Sequence, residues 1–564
     1  MNASHVSDSL TGPGAPFEIA EELVFGERMP VFKNRPRSAR ELLVGSSRHG
    51  ELCYIVTGGQ RLSYDEHLRR VAAFAQVLRE EFGVAKGDRV AILAANSAEW
   101  IIAFWATLSI GGVVASMNSL WAAPEIAHAL ESCEPKVLIA DRERLARVPA
   151  QTRARAAPGG AGLSGASWRT IELESDFEGL VARGRGAPVS EIPIDEDDPA
   201  VILYTSGTTG RSKGAVASHR SICGFVTLSK YSGAAAVAAA NAAGAGAAPA
   251  VGTRQIALIT VPLFHASGLY GFVVGQLATG GTVVLRSGRF DEDDVLRLIE
   301  CEGVTMWAAL GSMGPRVAER APGCGRDLSS MRLLAVGGAP VSPAHQQQLR
   351  AAFPNASINI SMGYTSSEAV AVVTRIQGQE MRDHPTSAGR VIATTSLEIR
   401  DPDGQPVAEG VDGEIHVRSP YLMIGYWRDD EATRAVLKPG RWLAMGDIGC
   451  LRDGRLYINS RARDMILVNA ENVFPTEIEY HLDAHPDVRE SAVIGVEDPT
   501  TGQAIRAFVV VADGTRLTAE VLQSWCRDAM AGYKVPTQWV IRQEALPRNA
   551  SGKVLKRDLE LAEA

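Results

Sequence analysis

AVILYTSGTTGRSKGAVASH, residues 200–219, is the stretch on which the reading of this chain turns. An apolar run, residues 200–204, enters a loop of small and hydroxylated residues, and a helix is expected after it. Gly207 and Gly210 let backbone N–H groups turn toward an anion. Thr205, Ser206, Thr208 and Thr209 add hydroxyl donors, and Lys213 adds a positive charge. Together these groups form a cradle for a triphosphate. The spacing is neither GxxxxGK[ST] nor GxGxxG, which excludes the two commonest nucleotide loops. Residues 210–214 formally match GxSxG, but Ser212 lies eight positions past Tyr204, whereas a hydrolase nucleophile follows its strand directly.

Around this loop, short apolar runs alternate with helical patterns. Strands are expected at residues 89–93, 113–117, 136–140, 255–261, 282–285 and 333–336, with a helix at 97–108. Buried strands separated by helices predict parallel sheets covered on both faces, an α/β fold. From about residue 413 the texture becomes hairpin-like (GEIHV, GRLYINS). It then gives a fresh pattern: helix 475–482, strands 491–496 and 507–511, helix 518–530. A large N-terminal domain, 1–460, and a smaller C-terminal domain, 461–564, follow from this change. Residues 232–252, SGAAAVAAANAAGAGAAPAVG, read as a mobile insertion, with an Ala-rich helix as the competing possibility.

The 564 residues are 46% hydrophobic and 22% charged, ordinary globular values. With 57 Lys and Arg against 65 Asp and Glu, the net charge of −8 offers no nucleic-acid platform. Seven scattered cysteines without a CxxC pair exclude a zinc knuckle and fit a reduced, cytoplasmic protein. The first residues lack the pattern of a secretory signal. The uncharged stretches 100–123, 231–253 and 255–285 are interrupted by Gly, Pro, Asn or His, and none is expected to span a membrane.

TSGTTGRSKG resembles the phosphate loop of the adenylate-forming superfamily, whose members include acyl-CoA synthetases. Further segments resemble that family's motifs in the same order. MGYTSSEA, residues 362–369, resembles GYGxTEA: the resemblance implies that Tyr364 stacks on adenine, that Gly363, Thr365 and Ser367 line the nucleotide, and that Glu368 holds Mg²⁺. Read alone, SSEA could equally cap a helix. LLAVGGAP, residues 333–340, implies that Gly338 and Ala339 border adenine and the acyl group. WLAMGD, residues 442–447, makes Asp447 the ribose ligand. SRARDMI, residues 460–466, makes Arg461 a nucleotide contact and Arg463 the hinge. NAENVFP, residues 469–475, places Ala470 and Glu471 beside the path of coenzyme A, where Ala470 replaces the usual glycine. PRNASGKV, residues 547–554, makes Lys553 the residue that bonds the substrate carboxylate and the α-phosphate.

FHASG, residues 264–268, resembles the acyl-pocket segment of acyl-CoA synthetases, with His265 near the carboxylate and Ser267 and Gly268 beside it. Trp307, Leu310, Gly311, Gly337, Met362 and Gly363 are the remaining expected walls. They are small or apolar, with no spare charge, so a hydrophobic monocarboxylate (fatty, aryl or polycyclic) is expected. The resemblance therefore implies an ATP- and Mg²⁺-dependent acid–CoA ligase. Its α/β N-terminal domain should combine parallel-sheet subdomains with a β-barrel-like portion, under a small mobile α+β C-terminal domain. The expected acceptor is free CoA, with a carrier protein as its rival. A degenerate nucleotide-binding protein and a GxSxG hydrolase are the competing functions. No nucleic-acid partner is expected, and a homodimer is compatible with the sequence.

Overall fold

The computed structural model describes residues 9–150, 152, 168–205, 212–242, 254–286, 288–338, 341–468, 471–498, 501–512, 514–549 and 552–562. Two large sheets carry the N-terminal part. In the first, Arg89–Leu93 pairs in parallel with Val113–Ser116 and Val137–Ala140; Pro199–Thr205 and Arg169–Glu172 extend it on either side. All four residues of Val113–Ser116 and of Val137–Ala140 are buried, which is why they form unbroken apolar runs rather than alternating ones. The expected helix is Ala98–Ser109, started by Ser97, whose side chain accepts from the Trp100 amide.

The second sheet lays Ile256–Ile259, Thr282–Leu285, Met306–Leu310, Leu333–Gly337 and Ile360–Tyr364 side by side in parallel. It continues without a break into antiparallel strands: Thr374–Gln377, Ser387–Val391, Arg455–Arg461, Trp442–Arg452, Gly413–Arg418 and Ser396–Arg400. This antiparallel run is the expected barrel-like portion. It brings the ends of the hairpin Trp442–Arg452/Arg455–Arg461 to the edge of the parallel strands. The C-terminal domain has its own sheet of Ile466–Val468, Glu471–Val473, Val488–Asp498, Gly502–Val511 and Gln538–Arg542, with its own apolar core around Ile478, Leu482, Ile505 and Leu522.

Three expectations change. No helix follows the phosphate loop directly. Residues 213–218 form a strand antiparallel to Pro199–Thr205, with Lys213 opposite Thr205, so the loop joins a hairpin and the helix starts only at His219. That helix runs from His219 to Ala242 and absorbs the first half of the expected mobile insertion, because alanine is the best helix former; residues 243–253 lie outside the described residues. Residues 366–369 cap no helix; they form a turn in which the Ser366 side chain accepts from the Ala369 amide. Among the described residues no helix is long and apolar enough to cross a membrane.

The C-terminal domain docks on the helices that follow two strands of the second sheet. Arg489 pairs with Glu319 at 2.8 Å, and the His345 ring lies 3.3 Å from the Arg489 carbonyl. Beside them Asp483, its side chain only 10% exposed, accepts from the Ser491 hydroxyl at 2.8 Å and stands 3.8 Å from His345. Burial pushes the Asp483 carboxyl up to about 7, with Glu479 adding to the rise; burial pushes His345 down. A raised carboxyl favours the folded state while protonated, and that contribution is lost as pH rises through about 7. Lowered His345 acts in the opposite sense and only below its ordinary value. Wild type should therefore lose about 1 kcal/mol of C-terminal-domain stability between about pH 6.5 and pH 8.5, above the range in which His345 acts, and Asp483→Asn should remove that slope. Calorimetric unfolding at the two pH values checks this; equal slopes would refute it.

Candidate active site

The parallel strands of the second sheet end together. Leu310 pairs with Gly337, and Val336 with Met362. At these ends Gly311 (φ 55°), Gly337 (φ 148°) and Gly338 (φ 75°) adopt backbone that side-chain-bearing residues avoid. The result is a crevice outside the carboxyl ends of the strands, the usual ligand position in open α/β sheets. Among its expected walls, Leu310, Gly311, Gly337, Gly338, Met362 and Gly363 meet here; Ala339 lies outside the described residues. Trp307 is fully buried, donates its indole N–H to Thr260 Oγ1 at 3.1 Å, and packs on Phe353. It is a core residue that braces the strand ends. His265 is half-buried against Phe264, and its buried Nε2 has no hydrogen-bond partner among the described residues. Burial holds its pKa down at about 4, so the imidazole is neutral near pH 7. Ser267 and Gly268 form the short helical turn after it, where a side chain at 268 would strike the Pro262 carbonyl.

Two polar clusters face this crevice. In the first, the Tyr364 hydroxyl donates to Asp447 Oδ2 at 2.6 Å, and Arg461 Nε meets Asp447 Oδ1 at 3.0 Å. Asp447 and Arg461 are direct partners across the hairpin, which explains why residues 14 apart converge. Burial, then the neighbouring Asp447 carboxylate, pushes the Tyr364 phenol well above its ordinary value, so it stays a donor. In the second cluster, Lys213 Nζ lies 5.4 Å from the centre of the Tyr426 ring, and the Tyr426 hydroxyl donates to Glu368 Oε1 at 2.9 Å. No motif in the sequence singles out Tyr426. Its segment lies along the strand after the phosphate loop, with Val216 N donating to Gly425 O and Trp427 N to Gly214 O. A Gly-Tyr-Trp run is the only local sign of it. Thr205 ends its strand with its hydroxyl 3.5 Å from the Lys213 carbonyl. Ser206, Gly207, Thr208, Thr209 and Gly210 lie outside the described residues.

The turn after Tyr364 folds on itself: Thr365 Oγ1 donates to the Ala371 carbonyl at 2.7 Å, and the Met423 amide donates to Glu368 O at 2.8 Å. Thr365 has no positive φ, so the glycine it replaces in the resemblance is not required there. The left-handed residue is Val370 (φ 59°), a β-branched side chain held two positions after Glu368. Ser367 sits in this turn. Among the described residues no three His, Cys, Asp or Glu side chains are placed to hold a metal. Glu368 offers a hard carboxylate oxygen, which suits a Mg²⁺ that takes most of its ligands from phosphates and water.

Lys553 reaches the first cluster from the C-terminal domain. Its loop is tied by Lys553 N donating to Asn549 Oδ1 (3.0 Å), by Gly552 N to Asn549 O (2.9 Å), and by Arg548 to Gly552 O (2.7 Å). Burial lowers the Lys553 pKa to about 8, helped by the Arg461 cation; Asp447 and Asp464 oppose the fall. The loop touches the crevice wall so closely that a Cβ on Gly311 would lie 2.6 Å from the Gly552 carbonyl oxygen. Gly311→Ala should therefore hold the lysine loop off the site. Acyl-adenylate formation should fall about 100-fold, with a smaller effect on thioester formation from supplied acyl-adenylate. Equal losses in both half-reactions, measured separately, would sink this reading. The expected hinge residue Arg463 is exposed and pairs with Asp464 at 3.4 Å. Glu471 is exposed, with no polar contact to the nucleotide cluster among the described residues; Ala470 lies outside them.

Comparison with known proteins agrees with this geometry. The family model described as AMP-binding enzyme matches residues 45–427, and the AMP-binding enzyme C-terminal domain matches residues 477–553. A feruloyl-CoA synthase from an Amycolatopsis species is 35% identical over 503 residues, covering 89% of this chain and 94% of that protein. The long-chain-fatty-acid–CoA ligase FadD13 of Mycobacterium tuberculosis is 33% identical over 477 residues, covering 84% and 88%. Among solved structures, the o-succinylbenzoate CoA synthetase of Bacillus subtilis, in complex with its acyl-adenylate intermediate, superposes with a TM-score of 0.74 at 27% identity, covering 93% of this chain and 98% of that one. The chain belongs to the AMP-binding enzyme family, as an AMP-forming acid–CoA ligase that works through an acyl-adenylate.

Proposed function

We propose that this enzyme activates a hydrophobic carboxylic acid (fatty, aryl or polycyclic) with ATP and Mg²⁺ and passes the acyl group to free CoA. The observation that carries this reading is the lysine loop closed on the crevice wall, Gly552 against Gly311, with Lys553 within electrostatic reach of Asp447 and Arg461. In the first step the acid carboxylate attacks the α-phosphorus and pyrophosphate leaves. Asp447 holds the ribose hydroxyls, Tyr364 and the glycines at 337–338 bound the adenine, and Lys553 bonds both the carboxylate and the α-phosphate. Lys213 and the loop before it hold the outer phosphates. Bound at Glu368, Mg²⁺ would offset phosphate charge. Neutral His265 orients the acid without moving a proton at pH 7.

In the second step the C-terminal domain, bounded near Arg461, turns about Arg463. It withdraws Lys553 and brings up residues 469–475 beside the incoming thiol. The CoA sulfur attacks the acyl carbon and AMP leaves. Two reactions at one site need such exchange, because the adenylate must be kept from water until the thiol arrives. A cytoplasmic location accords with this chemistry. The test is AMP release over aliphatic, aromatic and polycyclic acids, with and without CoA, the products followed by mass spectrometry. Acyl-CoA from one class supports the reading. Acyl-adenylate without thioester would replace CoA by a carrier protein, and no AMP from any acid would refute it.

A further inference from the structure

The peptide unit that joins Gly552 to Lys553 is gripped at both ends. The Gly552 carbonyl accepts from Arg548 Nη1 at 2.7 Å, and the Lys553 amide donates to Asn549 Oδ1 at 3.0 Å. That same carbonyl oxygen is the atom nearest to a Cβ on Gly311 at the crevice wall. Arg548 is held in turn. Its Nη2 pairs with Glu490 Oε2, and the two side chains are only 18% and 16% exposed. Glu490 Oε1 accepts from the Leu546 amide at 2.9 Å. One carboxylate thus fastens two points of the segment that leads into the lysine loop.

Glu490 lies where the strand Val488–Asp498 slips against Gly502–Val511. Val488 faces Val511 while Glu490 faces Val510, so Arg489 is the extra residue of a bulge. Arg489 turns to the N-terminal domain instead: its side chain meets Glu319, and its carbonyl meets the His345 ring. Glu319 belongs to the helix Met313–Arg320, which begins two residues after Gly311. The contacts close a ring: from this helix to Arg489, to its neighbour Glu490, to Arg548, to the Gly552 carbonyl, and back to Gly311. Docking of the C-terminal domain and the geometry of the peptide before Lys553 are joined through one carboxylate. Glu490→Gln keeps the shape but not the double acceptor, because one of the two donors would then face an NH₂ group. The largely buried guanidinium would lose its counter-charge, and the Gly552 carbonyl its fixed donor.

We propose that Glu490 is a positioning residue for the adenylation step: through Arg548 it sets the Gly552–Lys553 peptide and so aims the lysine. This rests on the reading of Lys553 as the residue that serves adenylation. The experiment measures the two half-reactions separately, with octanoate or 3-phenylpropanoate, whichever the wild type adenylates faster, and with the matching acyl-adenylate supplied for the second. Glu490→Gln should slow adenylate formation about 10- to 30-fold, the worth of a hydrogen bond to a charged group, with the loss in kcat rather than in KM for ATP. Arg548→Lys should lose about as much, because an ammonium cannot span Glu490 and the Gly552 carbonyl as the guanidinium fork does. Thioester formation by Glu490→Gln from supplied adenylate should stay within twofold of wild type, which also shows that the variant is folded. In a Lys553→Ala background, Glu490→Gln should cost nothing further, since its effect runs through the lysine. A merely structural role would slow both half-reactions alike and would persist without the lysine. Either of those results, or adenylation by Glu490→Gln within twofold of wild type, would overturn the proposal. Undiminished adenylation by Lys553→Ala alone would instead overturn the lysine reading beneath it.

Discussion

Lys553→Ala is expected to cut acyl-adenylate formation by about 10²–10³-fold, the usual worth of a preorganised donor aimed at developing charge. The loop that carries it is tied by Asn549 and Arg548, so the backbone at Lys553 is set and only the side chain remains to be ordered. Its environment is unfavourable without substrate: burial and the Arg461 cation hold its pKa near 8. An arriving carboxylate and α-phosphate supply the missing negative charge and raise that pKa again. Adenylation should therefore be strongest below about pH 8 and decline as pH rises through that value, where the free-enzyme lysine gives up its proton. Where Lys553→Arg retains adenylation, its alkaline limb should shift upward. The second half-reaction is the control. Acyl-CoA formation from supplied acyl-adenylate should survive the alanine substitution, because the lysine serves one posture of the C-terminal domain. Adenylate forming within tenfold of wild type would show that Lys553 is only a solvated charge.

Asp447→Ala should lower kcat/KM for ATP by about 100-fold through two losses. The carboxylate expected to take both ribose hydroxyls disappears. Two donors also lose their acceptor: the buried Tyr364 hydroxyl at 2.6 Å and the exposed Arg461 Nε at 3.0 Å. The orphaned phenol costs about 1–3 kcal/mol, while Arg461 turns to water at little cost. A third consequence reaches Lys553, whose charge Asp447 supports; the alkaline limb should move to lower pH in this variant. Tyr364→Phe removes only one hydrogen bond and leaves the ribose ligand, so it should cost far less. The double variant should be less than additive, since both substitutions break the same contact. Measured ATP affinity and adenylation rate for the three variants decide this. Equal losses in Asp447→Ala and Tyr364→Phe would mean that the aspartate only positions the tyrosine.

Most of the nucleotide side of the site is legible in the sequence because its residues sit where glycine and hydroxyl patterns interrupt apolar strands. Tyr364 follows Gly363 at a strand end, and Asp447 follows Gly446, whose φ is 70°. Backbone demands of that kind leave a local mark. Tyr426 leaves almost none: its place beside Lys213 and Glu368 depends on pairing between segments more than 200 residues apart. The strand Lys213–Ser218 resembles the start of a helix because GAVAS suits either state, and only pairing with Pro199–Thr205 decides it. Residues 232–242 suggest mobility because Ala and Gly lack apolar bulk; packing of Leu228 and Tyr231 carries the helix through them.

By itself, then, the amino-acid sequence determined the α/β alternation and pointed to the phosphate loop and to the proposed set Lys213, Tyr364, Glu368, Asp447, Arg461 and Lys553. Each depends on local chemistry, on strand periodicity, or on ordered motifs whose resemblance can be traced along the chain. Tertiary structure alone decided which of these residues touch, that Gly552 closes on Gly311, and that Asp483 is buried beside His345. The physical reason is that burial and electrostatic pairing are properties of the assembled surroundings. The charge of Asp483 is written in the sequence, but its burial beside His345 exists only once two distant segments have come together.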